Sequence, residues 1–229
     1  MAHDAPITGT GLRTPRAADV AGIGFSLLLG LALGLIIVSA PADPARAGDW
    51  LTDPARRRAI AVALNLVPFA GIAFLWFIGV VRDRIGQRED RFFASVFLGS
   101  GLLFVALLFT AAAFSGGLIA EAMAGSAAPG PDTLAVGRQI TSLLLRVYTM
   151  RMAAVFTMST ATITLRTNVV PRWIGILGIA VAVVLLVSVG LTPWLELLFP
   201  AWVLLLSADI LRAGLRQPPG AARTAMDTA

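Results

Sequence analysis

Two arginines five residues apart, Arg146 and Arg151, sit inside an otherwise apolar stretch, with the chain's one tyrosine, Tyr148, between them and Thr149 alongside. A guanidinium is a rigid fork of donors that holds a phosphate or carboxylate through two bonds, and phenol and threonine hydroxyls add further donors. Left alone in hydrocarbon it costs at least about 2.5 kcal/mol, so Arg151 must meet a counter-charge or water. Glu196 and Asn65 are the partners that position along the helices allows. Arg146, Tyr148, Thr149, Arg151, Asn65 and Glu196 therefore form a candidate ligand-binding set, suited to an anion or a lipid headgroup. The plainer alternative is a clamp in which Arg151 and Glu196 only tie two helices together.

Residue types exclude most other chemistry. The single histidine, His3, lies near the N-terminus and there is no cysteine, which removes histidine general-base catalysis, thiolate chemistry and His or Cys metal ligation from the apolar segments. Ser100, in Gly99-Ser100-Gly101, has no histidine to activate it. Asp209 and Arg212 are spaced for a local ion pair and not for a proton relay, because no second acid falls at matching depth. No catalytic residue, no metal and no cofactor is expected. A membrane enzyme that grips a lipid phosphate with Arg146 and Arg151 ranks behind the non-enzymatic readings.

The elements that must carry these residues are apolar helices. The chain is 57% hydrophobic and 14% charged, with a mean hydropathy of +0.83, far above what a water-soluble core requires. A hydrocarbon layer of about 30 Å takes about 20 helical residues. Segments of that size recur at residues 19–40, 59–81, 92–115, 140–165, 173–191 and 194–211. The predicted fold is all-α: a polytopic membrane bundle of six transmembrane helices over residues 18–213, with flexible cytoplasmic tails at 1–17 and 214–229. Asp53 before Pro54, and Thr192 before Pro193, each place a capping side chain ahead of a proline at the first helical position. Eleven arginines fall in the tails and loops on the side of both termini against five on the other side, which predicts cytoplasmic termini, although the triplet Arg56 to Arg58 lies on the minority side. A cleaved signal peptide ending near Ala45-Arg46-Ala47 is disfavoured, since the apolar run before it is too long. All 18 basic residues are arginine, and their place at the ends of apolar spans suits anionic headgroups and not nucleic acid.

The fourth segment is unlike the rest. At about 100° per residue, Ser142, Arg146, Thr149, Ala153, Thr157, Thr160 and Thr164 share one narrow stripe, while Tyr148, Arg151, Ser159 and Thr162 lie opposite. Polarity on two faces predicts a helix at the centre of the bundle. Taking Arg166 as one boundary, Arg146 lies about 30 Å away and can snorkel outward, whereas Arg151 lies about 7.5 Å deeper. Elsewhere, Gly22, Ser26, Gly30 and Gly34 repeat every fourth residue and give the first helix a flat packing stripe, for a neighbour in the same chain or for a homodimer. Pro68 and Pro200 interrupt two spans and are expected to fit neighbouring helices.

The stretch Val170-Pro171-Arg172-Trp173-Ile174-Gly175-Ile176-Leu177-Gly178, with Phe199-Pro200-Ala201-Trp202-Val203 in the last span, resembles the C-terminal part of a family of uncharacterised actinobacterial multi-helix membrane proteins. That resemblance implies a six-span protein of the bacterial cytoplasmic membrane and no particular activity. Sequence reading thus leads to a non-enzymatic scaffold or a lipid- or partner-binding bundle. A small transporter or channel subunit with an anion site near Arg146 and Arg151 is the alternative. The expected partners are the bilayer, an anionic lipid and a second copy through helix one.

Overall fold

The computed structural model describes residues 15–39, 53–85, 91–123, 130–167, 170–188 and 192–216, all but the junctions helical. The helices are α1 (Pro15–Ser39), α2 (Pro54–Ile85), α3 (Arg91–Met123), α4 (residues 131–167), α5 (Arg172–Val187) and α6 (residues 193–216). The all-α class expected from the sequence is what the chain adopts. Its helices differ from the expected spans mainly at their ends. Residues 15–17 and 214–216, expected in tails, are helical, α4 starts well before residue 140, and α5 stops at Val187. His3, the disfavoured cleavage site near Ala45, most of the first and second loops, and the rest of both tails lie outside the described residues.

Two of the starts follow their local chemistry. Asp53 Oδ1 accepts the backbone N–H of Ala55 at 2.9 Å, so the predicted cap of α2 forms. Thr192 is extended and its side chain caps nothing; the first turn of α6, Pro193–Leu197, is instead a 3-10 turn. Pro200 fits that departure. It has no N–H for the carbonyl of Glu196 four residues back, so an α-helical first turn would leave that carbonyl without its bond.

Successive helices run antiparallel and close a ring, with α6 returning to α1. Gly71 of α2 faces Phe109 of α3, Gly101 of α3 faces Phe156 of α4, and Gly22 of α1 faces Ser207 of α6. Inside the ring, five helices each send phenylalanine inward. Phe25 meets Phe74 with centroids 4.5 Å apart, Phe74 meets Phe104 at 5.0 Å and Phe156 at 4.9 Å, and Phe104 meets Phe199 at 5.0 Å. These five rings have no exposed surface, and tilted or edge-on pairs of this kind add about 0.5–1.5 kcal/mol each beyond burial alone. The centre is therefore an aromatic plug to which α4 contributes one ring. α4 is one wall of the ring, packed on α3 and α5, and not its axis.

The outer surface is apolar. Leu31, Phe69, Trp76, Leu103, Ile176 and Val183 are all exposed, which is tolerable only against lipid or a partner. Among the described residues, four stretches are long and apolar enough to cross a membrane: Val20–Ser39, Pro54–Arg82, Ala94–Glu121 and Pro193–Ala213. The other two helices fall short for separate reasons. α5 has 16 residues, about 24 Å of rise against about 30 Å of hydrocarbon, and α4 is interrupted by Arg138, Arg146 and Arg151.

Candidate functional site

The acid that the sequence offered to Arg151 belongs to Arg146. Arg146 Nε stands 3.6 Å from Glu196 Oε1, joining α4 to the 3-10 turn of α6. The pair is lopsided: the Glu196 side chain keeps 10% of its surface and that of Arg146 keeps 43%. The expected Arg151 to Glu196 clamp therefore does not form, and the cause lies in both backbones. The 3-10 start of α6 positions Glu196, and a π-helical segment in α4, Leu143–Thr149, positions Arg146. Beside the ion pair is a cavity of about 20 Å³, lined also by Met150, Leu185, Ser188 and Thr192, room for about one water molecule.

The π segment explains why the predicted polar stripe is only half right. Its turns close from residue i to i+5, so a register carried through it at α-helical spacing fails. From its last residue onward, Thr149, Ala153, Thr157, Thr160 and Thr164 are buried as expected. Ser142, just ahead of the segment, is half-buried, and Arg146, within it, is exposed. Thr149 marks the join: it is fully buried, and its hydroxyl donates to the carbonyl of Leu144, five residues back, at 2.7 Å. Every hydroxyl of the buried ridge is satisfied the same way, within its own helix. Thr157 donates to Ala153 at 2.8 Å, Thr160 to Phe156 at 2.8 Å and Thr164 to Ala161 at 2.9 Å. The ridge thus presents methyl groups to its neighbours, and it needs neither water nor a ligand.

The remaining candidates stand apart from the ion pair. Asn65 is exposed on α2 and donates to its own helix at Ala61, 2.8 Å away. Tyr148 is 55% exposed. Arg151 is half-buried and, among the described residues, makes no ion pair and no hydrogen bond. Asp209 and Arg212 form no ion pair with each other either. Glu196 and Arg146 are thus brought together, Thr149 is buried in the bundle, and Asn65 takes no part. Sequence reading did not see the π segment or the 3-10 turn. For the latter a signal was present, in Pro200 four residues after Glu196.

The glycine stripe of α1 divides. Gly22 admits Ser207 and Phe77, and Ser26 is buried with its hydroxyl on the Gly22 carbonyl at 2.8 Å, whereas Gly30 and Gly34 face open space. Ser207, opposite Gly22, is buried without a hydrogen-bond partner. The two segments behind the family resemblance prove to be one contact. The Trp202 indole donates to the Ile174 carbonyl at 3.1 Å and lies over Gly178, whose missing side chain makes the room. No family model, no curated protein and no solved structure matches the chain, so its architecture and this polar end stand as the description of what it is.

Proposed function

We propose that the chain is a non-enzymatic integral membrane protein of the bacterial cytoplasmic membrane, crossing it six times with both termini cytoplasmic, and serving as a scaffold or as a lipid- or partner-binding bundle. One observation carries this: the ring is filled along its centre by buried phenylalanine, while the buried threonines of α4 bond back to their own helix and the Arg146–Glu196 pair sits at its rim. A solid aromatic interior suits a protein that presents a surface. It does not suit one that passes a solute through itself.

Six crossings follow if α4 and α5 accompany the four apolar helices, a reading that their places in the closed ring support. Trp173 near the start of α5 and Trp194 near the start of α6 are exposed at opposite ends, where interfacial tryptophan belongs. Gly30 and Gly34 leave part of α1 open to close approach, which keeps a homodimer through helix one among the proposals. A transport or channel subunit is the second reading, favoured by the π segment, since such segments recur at functional sites.

The lack of native cysteine makes the test clean. Single cysteines at Thr160 in the interior, at Ala55 at the start of α2 and at Arg212 near the end of α6 should be probed with a thiol reagent in intact cells. The expected result is labelling of Ala55→Cys by an impermeant reagent, protection of Arg212→Cys until the membrane is permeabilised, and no labelling of Thr160→Cys by small permeant reagents. Rapid labelling of Thr160→Cys would replace the scaffold with a water-filled pathway. Labelling of Arg212→Cys from outside would invert the topology.

A further inference from the structure

We infer that Arg151, with Tyr148 beside it, holds the phosphodiester of an anionic phospholipid against the outward face of α4. This occupancy presupposes the membrane crossing proposed above and adds to it a ligand and a place. Arg146, the other arginine of the segment, is engaged by Glu196. Arg151 has no protein counter-charge among the described residues, and a guanidinium cannot escape by losing its proton.

Its position fixes what can meet it. Arg151 lies about 22 Å along α4 from Arg166, inside a hydrocarbon layer of about 30 Å and nearer the rim that carries Arg146. Its long stem lets the guanidinium rise toward that rim. Tyr148 stands three residues away in that direction and is exposed, with the amphipathic ring that favours the headgroup level. A bilayer presents phosphodiesters at that level. The guanidinium fork accepts a phosphate in bidentate fashion, and the phenol supplies a further donor.

The rest of the face continues the match. Below Arg151, at helical spacing, come Val155, Met158 and Thr162, each half-buried, and Thr162 has its hydroxyl tied back to Met158 at 2.8 Å. Donors above and an apolar strip below follow the order of a phospholipid, headgroup then acyl chain. A carboxylate from a partner helix would answer the charge of Arg151 but would not call for this sequence of surfaces.

The test is retention of lipid by the purified full-length protein in native mass spectrometry, titrated with phosphatidylglycerol and, separately, with phosphatidylcholine. Wild type should retain one phosphatidylglycerol in preference to phosphatidylcholine. Arg151→Gln should weaken that retention by roughly tenfold, Arg151→Lys by less because charge remains without the fork, and Tyr148→Phe by roughly threefold, because the phenol supplies one donor at an exposed position and the guanidinium supplies the counter-charge and two. Arg138→Gln, on the exposed early part of α4, should change nothing. Equal retention by Arg151→Gln and wild type, equal retention of the two lipids, or displacement of the lipid by millimolar inorganic phosphate would each overturn the assignment, the last in favour of a free-anion site. A protein that co-purifies in place of lipid and is lost in Arg151→Gln would overturn it in favour of a carboxylate partner. Should Arg151→Gln not fold, Arg151→Lys and Tyr148→Phe decide the matter. Failure here with Thr160→Cys unlabelled removes the lipid and leaves the scaffold. Labelled Thr160→Cys with lipid retention still dependent on Arg151 does the reverse.

Discussion

α4 is two helices in one. Ten of the eighteen residues of Met150–Thr167 are buried, four of them threonine or serine, whereas Pro131–Ser142 shows mostly exposed side chains and the π segment between them buries Thr149 alone. Both halves read as polar in the sequence. The difference lies in what each polar group can do for itself. A threonine hydroxyl can donate to the carbonyl one turn back and then behave as a small apolar residue, so it may be packed anywhere. A guanidinium has no such recourse: its donors exceed what a helix's own carbonyls offer, and its charge stays. The hydroxyl-bearing face of Met150–Thr167 could therefore be pulled into the ring, whereas Arg146, Arg151 and Arg166 all stay off the buried face. Polar content alone does not place a helix in a bundle; the capacity for self-satisfaction does.

The sharpest way to break this contrast is to disturb the tight packing that the inner half allows. Gly178 of α5 faces it, and a Cβ there would come within 2.7 Å of Trp202 Cζ2 and 2.8 Å of the Ala161 Cβ. Gly178→Val should therefore cost about 3 kcal/mol, the upper range for forcing extra carbon into a packed site, because neither the indole nor a backbone-bound methyl can step aside. Reversible unfolding in mixed micelles measures it. A cost below about 1 kcal/mol would mean that α5 slides freely on α4, and the inner half is then not a fixed core.

The outer half is probed through its ion pair, with a smaller effect. Arg146→Gln leaves Glu196 enclosed without its partner, and should cost about 1–2 kcal/mol, less than a fully buried pair because Arg146 keeps 43% of its side-chain surface. A double-mutant cycle with Glu196→Gln should return a coupling of about 1 kcal/mol that shrinks as salt is added. Coupling of zero makes the contact incidental. In that case the 3-10 turn, and not the charge, holds α6 against α4.

Much of this was legible in the residues. Helix count, all-α class, the Asp53 cap and the burial of the threonine ridge follow from composition, period and capping chemistry. What was not legible shares one cause. Pairing Glu196 with Arg151, placing Ser142 and Arg146 on the buried stripe, and expecting Thr192 as a cap all assumed ideal α-helical geometry through stretches that abandon it. The π turn at Leu143–Thr149 has no composition of its own, and the 3-10 turn at Pro193–Leu197 announces itself only through Pro200. Period and propensity do not see such local departures. The ring of phenylalanines was missed for a different reason: apolar residues face both core and lipid here, so hydropathy carries no inward signal.

The smallest expected effect is the most discriminating. Thr157→Val and Thr160→Val each remove a hydroxyl from a fully buried site and put a methyl of the same shape in its place. In a soluble core such a change often strands a partner. Here each hydroxyl bonds only the carbonyl of its own helix, Ala153 or Phe156, which already serves the helical ladder through its other lone pair. The cost should stay below about 0.5 kcal/mol, as expected when no partner is left unsatisfied, and the two variants should add, since neither bond involves the other. The same micellar unfolding assay measures both. A loss of about 2 kcal/mol or more from either, or strong non-additivity, would mean that the hydroxyls reach across to another helix or to water, and the ridge would then be a polar seam instead of a row of small packing surfaces.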